Sequence, residues 1–254
     1  MNFHANHRER VRNRFRAEGL DSFEEHQILE MLLFYGIPRI DTNEIAHRLI
    51  AKFGSFRGVM DAEYEELLEV EGIGEQTATL IKFASAVARR YALSDFAKGT
   101  KYTTVESVGK FFIAKFMGEQ TEKTYAMLIN GRSEMIDCKL ITEGSFSENR
   151  AAASLIISAA LKNKAYGVVL AHNHPVGLAI PSSSDIEYTT QLDFLCSQVG
   201  VCVLEHIVVA ENAFLPIMRS HISDKFSDIK LKKFGPESEE EKDSEKSKDS
   251  ESKK

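Results

Sequence analysis

The spacing of apolar residues changes near residue 100, and this change limits the chain to a fold with two different halves. Residues 7–91 carry apolar side chains at helical spacing, as at Leu29 and Leu33, and they predict an all-helical domain. Residues 92–104 show no clear periodicity and are interpreted as a linker. Residues 105–222 alternate short β-branched runs with longer helical patterns, which predicts an α/β domain. The chain as a whole is therefore expected to be an α+β protein.

The individual elements can also be predicted. In the first half, Asp41-Thr42-Asn43 offers a helix N-cap, Gly54 is placed to end that helix, and further helices are expected at 62–68 and about 75–90. In the second half, strands are predicted at 124–129, 134–142, 167–171 and 201–209, and helices at 105–117, 147–163 and 182–199. Asn130-Gly131 predicts a two-residue hairpin of type I′, because both central residues of that turn need positive φ.

Composition narrows the class of protein. The chain is 43% hydrophobic and 28% charged, as is typical of a globular protein, and its net charge of −6 excludes a surface that is basic all over. No run approaches the roughly 20 apolar residues that cross a bilayer, so no membrane partner is predicted. Cys138, Cys196 and Cys202 lack the spacing of a metal or disulfide motif, and a cytoplasmic location is expected.

The last residues differ from the rest of the chain. Residues 236–254 consist largely of acidic residues, lysine and serine, with no apolar residue after Pro236. A segment that has nothing to bury is predicted to be disordered.

One short segment carries residues that are suited to chemistry. His172 and His174 stand two residues apart at the predicted end of a strand, so their imidazoles would project to one side. Pro175 then directs the chain out of the strand, and Asp185 falls in the first turn of the next predicted helix, with Ser182 at its N-cap. Two histidines and one carboxylate are the ligand set of a catalytic zinc ion, which keeps a fourth position for water.

Each half of this pattern also has a purely structural interpretation. Two histidines in a strand are commonly buried and hydrogen-bonded, and Ser182 with Asp185 fits a capping box. Their joint occurrence, with a strand before and a helix after, favours a metal site.

The order of these residues resembles the JAMM metalloprotease motif, whose fixed positions here are His172, His174, Pro175, Ser182 and Asp185. The text HNHP at 172–175 and the strand EHIVV at 205–209 resemble the RadC branch of that family. The text EGIG at 71–74 is similar to the last hairpin of the helical domain with which RadC-like proteins begin. The resemblance covers about residues 8–210.

The resemblance implies an N-terminal helix-hairpin-helix domain followed by a JAB/MPN domain that binds Zn²⁺ through His172, His174 and Asp185. It also implies that Ser182 stabilises the oxyanion of a tetrahedral intermediate. A catalytic glutamate is expected at the start of the first strand, where Glu122 stands, and Glu143 at the end of the hairpin is held in reserve.

The sequence departs from the usual RadC pattern in three places. Residues 153–155 read Ala-Ser-Leu where a Pro-Arg-Glu triplet is usual, Val176 replaces a serine, and Glu205 replaces an aspartate. The neighbouring His206 has two interpretations, as a residue behind the ligands or on the substrate side, or as a strand residue that pairs with a carboxylate. The second is preferred, and His206 is left out of the site.

The N-terminal domain gives opposing signals about DNA. Gly72-Ile73-Gly74 resembles a hairpin whose backbone amides hold a phosphate. Residues 61–81, however, contain seven acidic residues and no Lys or Arg, and such charge repels DNA. Five arginines alternate along the first helix, as either a basic arm or a solvated helix: Arg8, Arg10, Arg12, Arg14 and Arg16. The domain is expected to make a weak, sequence-independent DNA contact or to dock a protein.

The preferred function is a zinc-dependent hydrolase of peptide or isopeptide bonds that acts on a protein or peptide, and the resemblance adds a role in DNA repair. One alternative is a DNA-binding or DNA-annealing repair factor that uses the metal centre or the hairpin. The other is a non-catalytic module that keeps the fold and the metal and lacks a base. No oligomeric state is predicted.

Overall fold

The computed structural model describes residues 3–144 and 150–218, and the chain divides into two compact units between Ala92 and Leu93. In the described part, no helix has both the length and the hydropathy needed to cross a membrane. Some predicted segments lie outside the described residues, namely the tail at 236–254, positions 219–222 of the second domain and positions 147–149 of one helix.

The first unit is helical, as the sequence predicts. Its helices in the described part are α1 (Phe3–Glu18), α2 (Glu25–Gly36), α3 (Asn43–Phe53), α4 (Phe56–Asp61), α5 (Tyr64–Leu68) and α6 (Glu75–Ala92). Gly54 ends α3 in the left-handed conformation, with φ of 82°, which confirms its predicted role. The prediction of one helix over 62–68 is wrong at its start, because Ala62 has extended backbone angles and Glu63 caps α5.

One apolar core holds α2 to α6 together. Each of these helices contributes a fully buried or nearly buried side chain, respectively Leu29, Leu49, Val59, Leu67 and Ile81. Helix α1 is joined to this core by polar contacts.

Polar contacts between α1 and the α2–α3 segment involve a buried carboxylate. Glu30 is 2% exposed and lies 2.7 Å from His7 Nε2. The guanidinium of Arg8 donates to the carbonyl of Ile37 at 2.7 Å. Thr42 lies at the N-cap of α3 as predicted, but its hydroxyl donates to Glu30 O at 3.3 Å and makes no cap bond.

The second unit is built on a five-stranded sheet. Its elements are α7 (Val105–Phe116), β1 (Lys123–Ile129), β2 (Met135–Glu143), α8 (Arg150–Lys162), β3 (Gly167–Asn173), α9 (Ser183–Gln198), β4 (Cys202–Ala210) and β5 (Ala213–Pro216). The strand order is β2-β1-β3-β4-β5. Among the strands of the described residues, only β3 and β4 pair in parallel, because α9 carries the chain back between them.

Alternation along the strands gives the sheet two apolar faces. Met127 and Ile129 of β1 pack with Phe112 of α7 in one cluster. Ala126 and Leu128 point to the other face and pack with residues of α8 and α9. Strand β3 lies between β1 and β4 and is buried along its whole length, so the end of β3 lies in the middle of the sheet.

The hairpin between β1 and β2 is confirmed, but its predicted turn type is wrong. The residue with positive φ is Ser133, at 63°, and Gly131 is not in the left-handed region. The Asn130 side-chain oxygen accepts from the backbone N–H of Arg132 at 2.8 Å and of Glu134 at 3.0 Å. Asn130 therefore stabilises a longer loop through its side chain, a role that the dipeptide signal did not reveal.

The contact between α7 and β5 generates a prediction. A Cβ at Gly109 would overlap the ring of Phe214, so Gly109→Ala is expected to lower the free energy of unfolding by about 1–3 kcal/mol. Gly131→Ala is the matched control, because no atom lies within 4 Å of a Cβ at that position. Urea titration followed by circular dichroism measures both. Equal stability of the two variants would contradict this packing.

Candidate metal centre

Two histidines lie where β3 ends. His172 is fully buried and pairs directly opposite Thr124 of β1, so its ring lies on the face that α8 and α9 cover. His174 follows the strand and is half-buried. Asn173 fixes the strand end between them, since its amide oxygen accepts from the Lys123 backbone N–H at 2.7 Å.

Asp185 reaches the same place from the first turn of α9. Its Oδ2 accepts hydrogen bonds from the backbone N–H and the hydroxyl of Ser182, both at 2.7 Å. Its Oδ1 lies 3.5 Å from His172 Nε2. The capping box and the metal ligand are therefore compatible, because each uses a different oxygen of one carboxylate.

Three ligand atoms converge at this point. His172 Nε2 and His174 Nε2 are 3.1 Å apart, and with a carboxylate oxygen of Asp185 all three atoms lie within 4.8 Å of one another. Tetrahedral zinc with bonds of about 2.0–2.1 Å would separate its ligands by about 3.3 Å. The observed 3.1 Å and 3.5 Å separations lie on either side of that value, so these residues fit the ion that the sequence predicts.

The charge and protonation of the ligands also suit a cation. His174 Nδ1 lies 2.9 Å from the carbonyl oxygen of Leu178, which can only accept, so Nδ1 carries the proton and Nε2 presents a lone pair. Burial alone would raise the pKa of Asp185. Two hydrogen bonds from Ser182 to Oδ2 favour the ionised form, and the pKa of Asp185 lies well below its usual value. Asp185 is therefore ionised at neutral pH.

His206 belongs to the surroundings of the site, contrary to the sequence interpretation. It is fully buried in β4, and its Nε2 lies 2.8 Å from His172 Nδ1. Its Nδ1 lies 2.6 Å from the hydroxyl of Thr189 in α9. Burial lowers the pKa of His206 well below its usual value. The signal in the sequence was a pair of ionisable residues, Glu205 and His206, within a strand whose other residues are apolar.

The two candidate glutamates differ in position. Glu122 is half-buried just before β1, and its carbonyl accepts from Gly144 N at 2.7 Å. Glu143 lies opposite Lys123 in the β1–β2 pair, and its carboxylate is 3.4 Å from Lys123 Nζ. Neither glutamate belongs to the cluster of three ligands.

Backbone conformation and packing explain why glycine occupies position 72 of the predicted hairpin in the first unit. Gly72 has φ of 95°, and a Cβ there would lie 2.8 Å from Ile45 Cδ1, so only glycine fits. The neighbouring Glu71 carbonyl accepts from the Arg48 guanidinium at 2.8 Å.

The arginines of α1 contact their own unit. Arg8 and Arg12 lie over the ring of Phe34, at 4.8 Å and 5.6 Å from its centroid, and Arg14 lies over Phe23 at 4.4 Å. Cation–π contacts of this kind hold these three guanidinium groups against their own unit, whereas Arg10 and Arg16 are exposed.

Comparison with known proteins agrees with this architecture. Residues 102–221 match the RadC-like JAB domain family, and residues 4–79 match the UPF0758 N-terminal family. The second unit is therefore a JAB domain, preceded by the helical domain of that family.

Relatives align over most of their length. A UPF0758 protein of Fusobacterium nucleatum is 30% identical over 220 residues, which cover 84% of this chain and 94% of that protein. Proteins of the same name from Finegoldia magna and Ruegeria pomeroyi are 29% and 28% identical, over 83% and 82% of this chain and 94% and 93% of their own lengths. The chain belongs to the RadC-like UPF0758 family, which confirms the resemblance in the sequence.

The geometry of the site predicts metal binding that depends on its ligands. Protein loaded with zinc and then dialysed is expected to hold about one ion per chain, and His172→Ala is expected to hold almost none. Elemental analysis by mass spectrometry measures both. His26→Ala is the control, because His26 stacks on His47 in the first unit. A His172→Ala protein that kept a full equivalent would exclude this site.

Proposed function

We propose that this protein is a zinc-dependent hydrolase of peptide or isopeptide bonds in polypeptides. The observation that carries the proposal is the convergence of His172, His174 and Asp185 at the end of β3. When bound by such a ligand set, zinc lowers the pKa of a coordinated water to about 7 and polarises a carbonyl group.

Glu122 is the proposed general base. Strand β1 is antiparallel to β3, and Thr124 lies directly opposite His172. Continuing this register by two residues sets Glu122 opposite His174, on the face of the two imidazoles. The reserve candidate Glu143 shares the face of Lys123, which is the other side of the sheet, and it is already paired with that lysine.

Two residues of the chain have separate roles in the proposed reaction. Glu122 takes the proton of the attacking water and passes it to the leaving amine. Ser182, which is exposed at the start of α9, donates its hydroxyl to the oxyanion that develops on the scissile carbonyl. Its proton now bonds Asp185 Oδ2 at 2.7 Å, so the hydroxyl rotates away from Asp185 when substrate is present.

Removal of the proposed base tests catalysis separately from metal binding. Glu122→Gln is expected to lower turnover about 100- to 10,000-fold while zinc content stays at the wild-type level. Turnover is measured by mass spectrometry of new termini in a mixture of unstructured peptides. Glu143→Gln is the matched control and should cleave like the wild type. Absence of cleavage by the zinc-loaded wild type would favour the non-catalytic module, and unchanged turnover in Glu122→Gln would exclude this base.

The apolar composition of the loop beside the site favours a polypeptide as the substrate. Between Pro175 and Pro181 the side chains of Val176, Leu178 and Ile180 are 93%, 70% and 61% exposed. The loop carries no charged residue, and its backbone at Leu178 bonds the ligand His174. Exposed apolar side chains in a cluster mark an interaction site, and they suit an apolar segment of a polypeptide better than a phosphate backbone.

The loop therefore provides a test of substrate binding. Leu178→Asp is expected to lower kcat/KM roughly tenfold or more, because burial of a leucine side chain contributes about 1.5–3 kcal/mol. Leu161→Asp is the control, since Leu161 is 51% exposed near the end of α8, by the start of β3. Both variants should keep their zinc. An equal kcat/KM in the two variants, measured on the peptide mixture, would remove the loop from substrate recognition.

The helical unit is proposed to be a helix-hairpin-helix module that docks a protein or touches DNA weakly. The acidic residues around its hairpin and the contacts of Arg8, Arg12 and Arg14 favour protein docking over DNA annealing. A role in DNA repair rests on the family alone. A cytoplasmic location is supported by Cys138, Cys196 and Cys202, which are all thiols in the structure.

A further inference from the structure

A chain of buried hydrogen bonds runs behind the metal centre. The carbonyl oxygen of Asp185 lies 2.5 Å from Thr189 Oγ1, which lies 2.6 Å from His206 Nδ1. His206 Nε2 in turn lies 2.8 Å from His172 Nδ1. The side chains of Thr189, His206 and His172 are all 0% exposed, so water does not compete for these bonds.

The direction of each bond follows from the groups involved. The carbonyl of Asp185 can only accept, so the hydroxyl of Thr189 donates to it. That hydroxyl has one proton, and it must therefore accept from His206 Nδ1–H. A ring buried as completely as His206 is neutral, so its Nε2 has a lone pair and accepts from His172 Nδ1–H. His172 Nε2 is left without a proton and faces the ligand cluster.

We propose that Thr189 and His206 are positioning residues of the metal centre, which fix His172 as the Nδ1–H tautomer and direct its Nε2 lone pair to the cation. The inference deepens the proposed function and rests on its metal site. The tautomer itself can be observed without metal, so the two ideas can fail separately.

The chain of bonds determines which nitrogen of His172 binds. Loss of the Thr189 hydroxyl removes the acceptor that lies 2.6 Å from His206 Nδ1, and loss of such a buried hydrogen bond costs about 1–3 kcal/mol. The alternative tautomer of His206 avoids this cost by placing the proton on Nε2. The Nε2–H of His206 then donates to His172 Nδ1, so His172 must carry its own proton on Nε2. A proton on Nε2 has to be lost before that nitrogen can bind a metal ion.

The test compares Thr189→Val with Thr189→Ser. Valine keeps the shape of threonine and removes the hydroxyl, whereas serine keeps the hydroxyl. Nitrogen NMR of metal-free, ¹⁵N-histidine-labelled protein should report His172 as the Nδ1–H tautomer in the wild type and in Thr189→Ser. In Thr189→Val, the His172 signal should shift toward the Nε2–H form. Zinc affinity, measured by competition with a chromogenic chelator, should fall about 10- to 100-fold in Thr189→Val and stay near the wild type in Thr189→Ser.

Each outcome decides the proposal. It is overturned if wild-type His172 carries its proton on Nε2, or if Thr189→Val keeps both the tautomer and the zinc affinity of the wild type. Similar thermal unfolding of the two variants excludes a general loss of structure as the cause. If the wild type binds no zinc, the proposed function fails, and the NMR comparison alone decides whether Thr189 and His206 set the tautomer.

Discussion

Two imidazole nitrogens approach to 3.1 Å at the end of β3, and a positive charge beside this contact would stabilise it. His174 Nδ1 is hydrogen-bonded to the Leu178 carbonyl, and in the proposed tautomer His172 Nδ1–H donates to His206. Two lone pairs then face each other next to the carboxylate of Asp185, and such an arrangement repels itself in a buried setting. The separations of His172 Nε2 from the other two donors, 3.1 Å and 3.5 Å, are close to those around a tetrahedral ion, so a metal ion could supply that charge.

The position of β3 makes this convergence possible. Because β3 is the central strand and is buried along its length, its last residues can carry one fully buried and one half-buried ligand. The chain leaves the sheet at Pro175 and returns as α9, whose first turn supplies the third. Asp185 serves the fold through Oδ2, which caps α9, and serves the site through Oδ1. A substitution at Asp185 would therefore affect helix and site together.

Sequence analysis predicted the ligand pattern because local spacing determines it. The elements that carry His172, His174 and Asp185 follow from apolar periodicity and turn residues, and they agree with the structure. The interpretation of His206 was wrong because its partner depends on the pairing of β3 with β4, and no local pattern specifies which distant side chain a strand residue will meet. The turn after Asn130 was wrong for a similar reason, since the asparagine side chain bonds the backbone of residues farther along the loop.

The surroundings of the site also determine the side from which a substrate can approach. Behind His172, the hydrogen bonds of Thr189 and His206 hold the ring among fully buried groups. The orientation of the ring is therefore fixed when the protein folds, and no further entropic cost of ordering it would arise on metal binding. His174 and Ser182, by contrast, lie at least partly in solvent, next to the exposed apolar side chains of Val176 and Leu178. In the proposed hydrolase, a substrate would therefore arrive over this loop, and a polypeptide that covers the loop would exclude water from the reacting carbonyl. Under the proposed function, the buried side of the site would orient the candidate ligands, and its exposed side would determine which substrate reaches them.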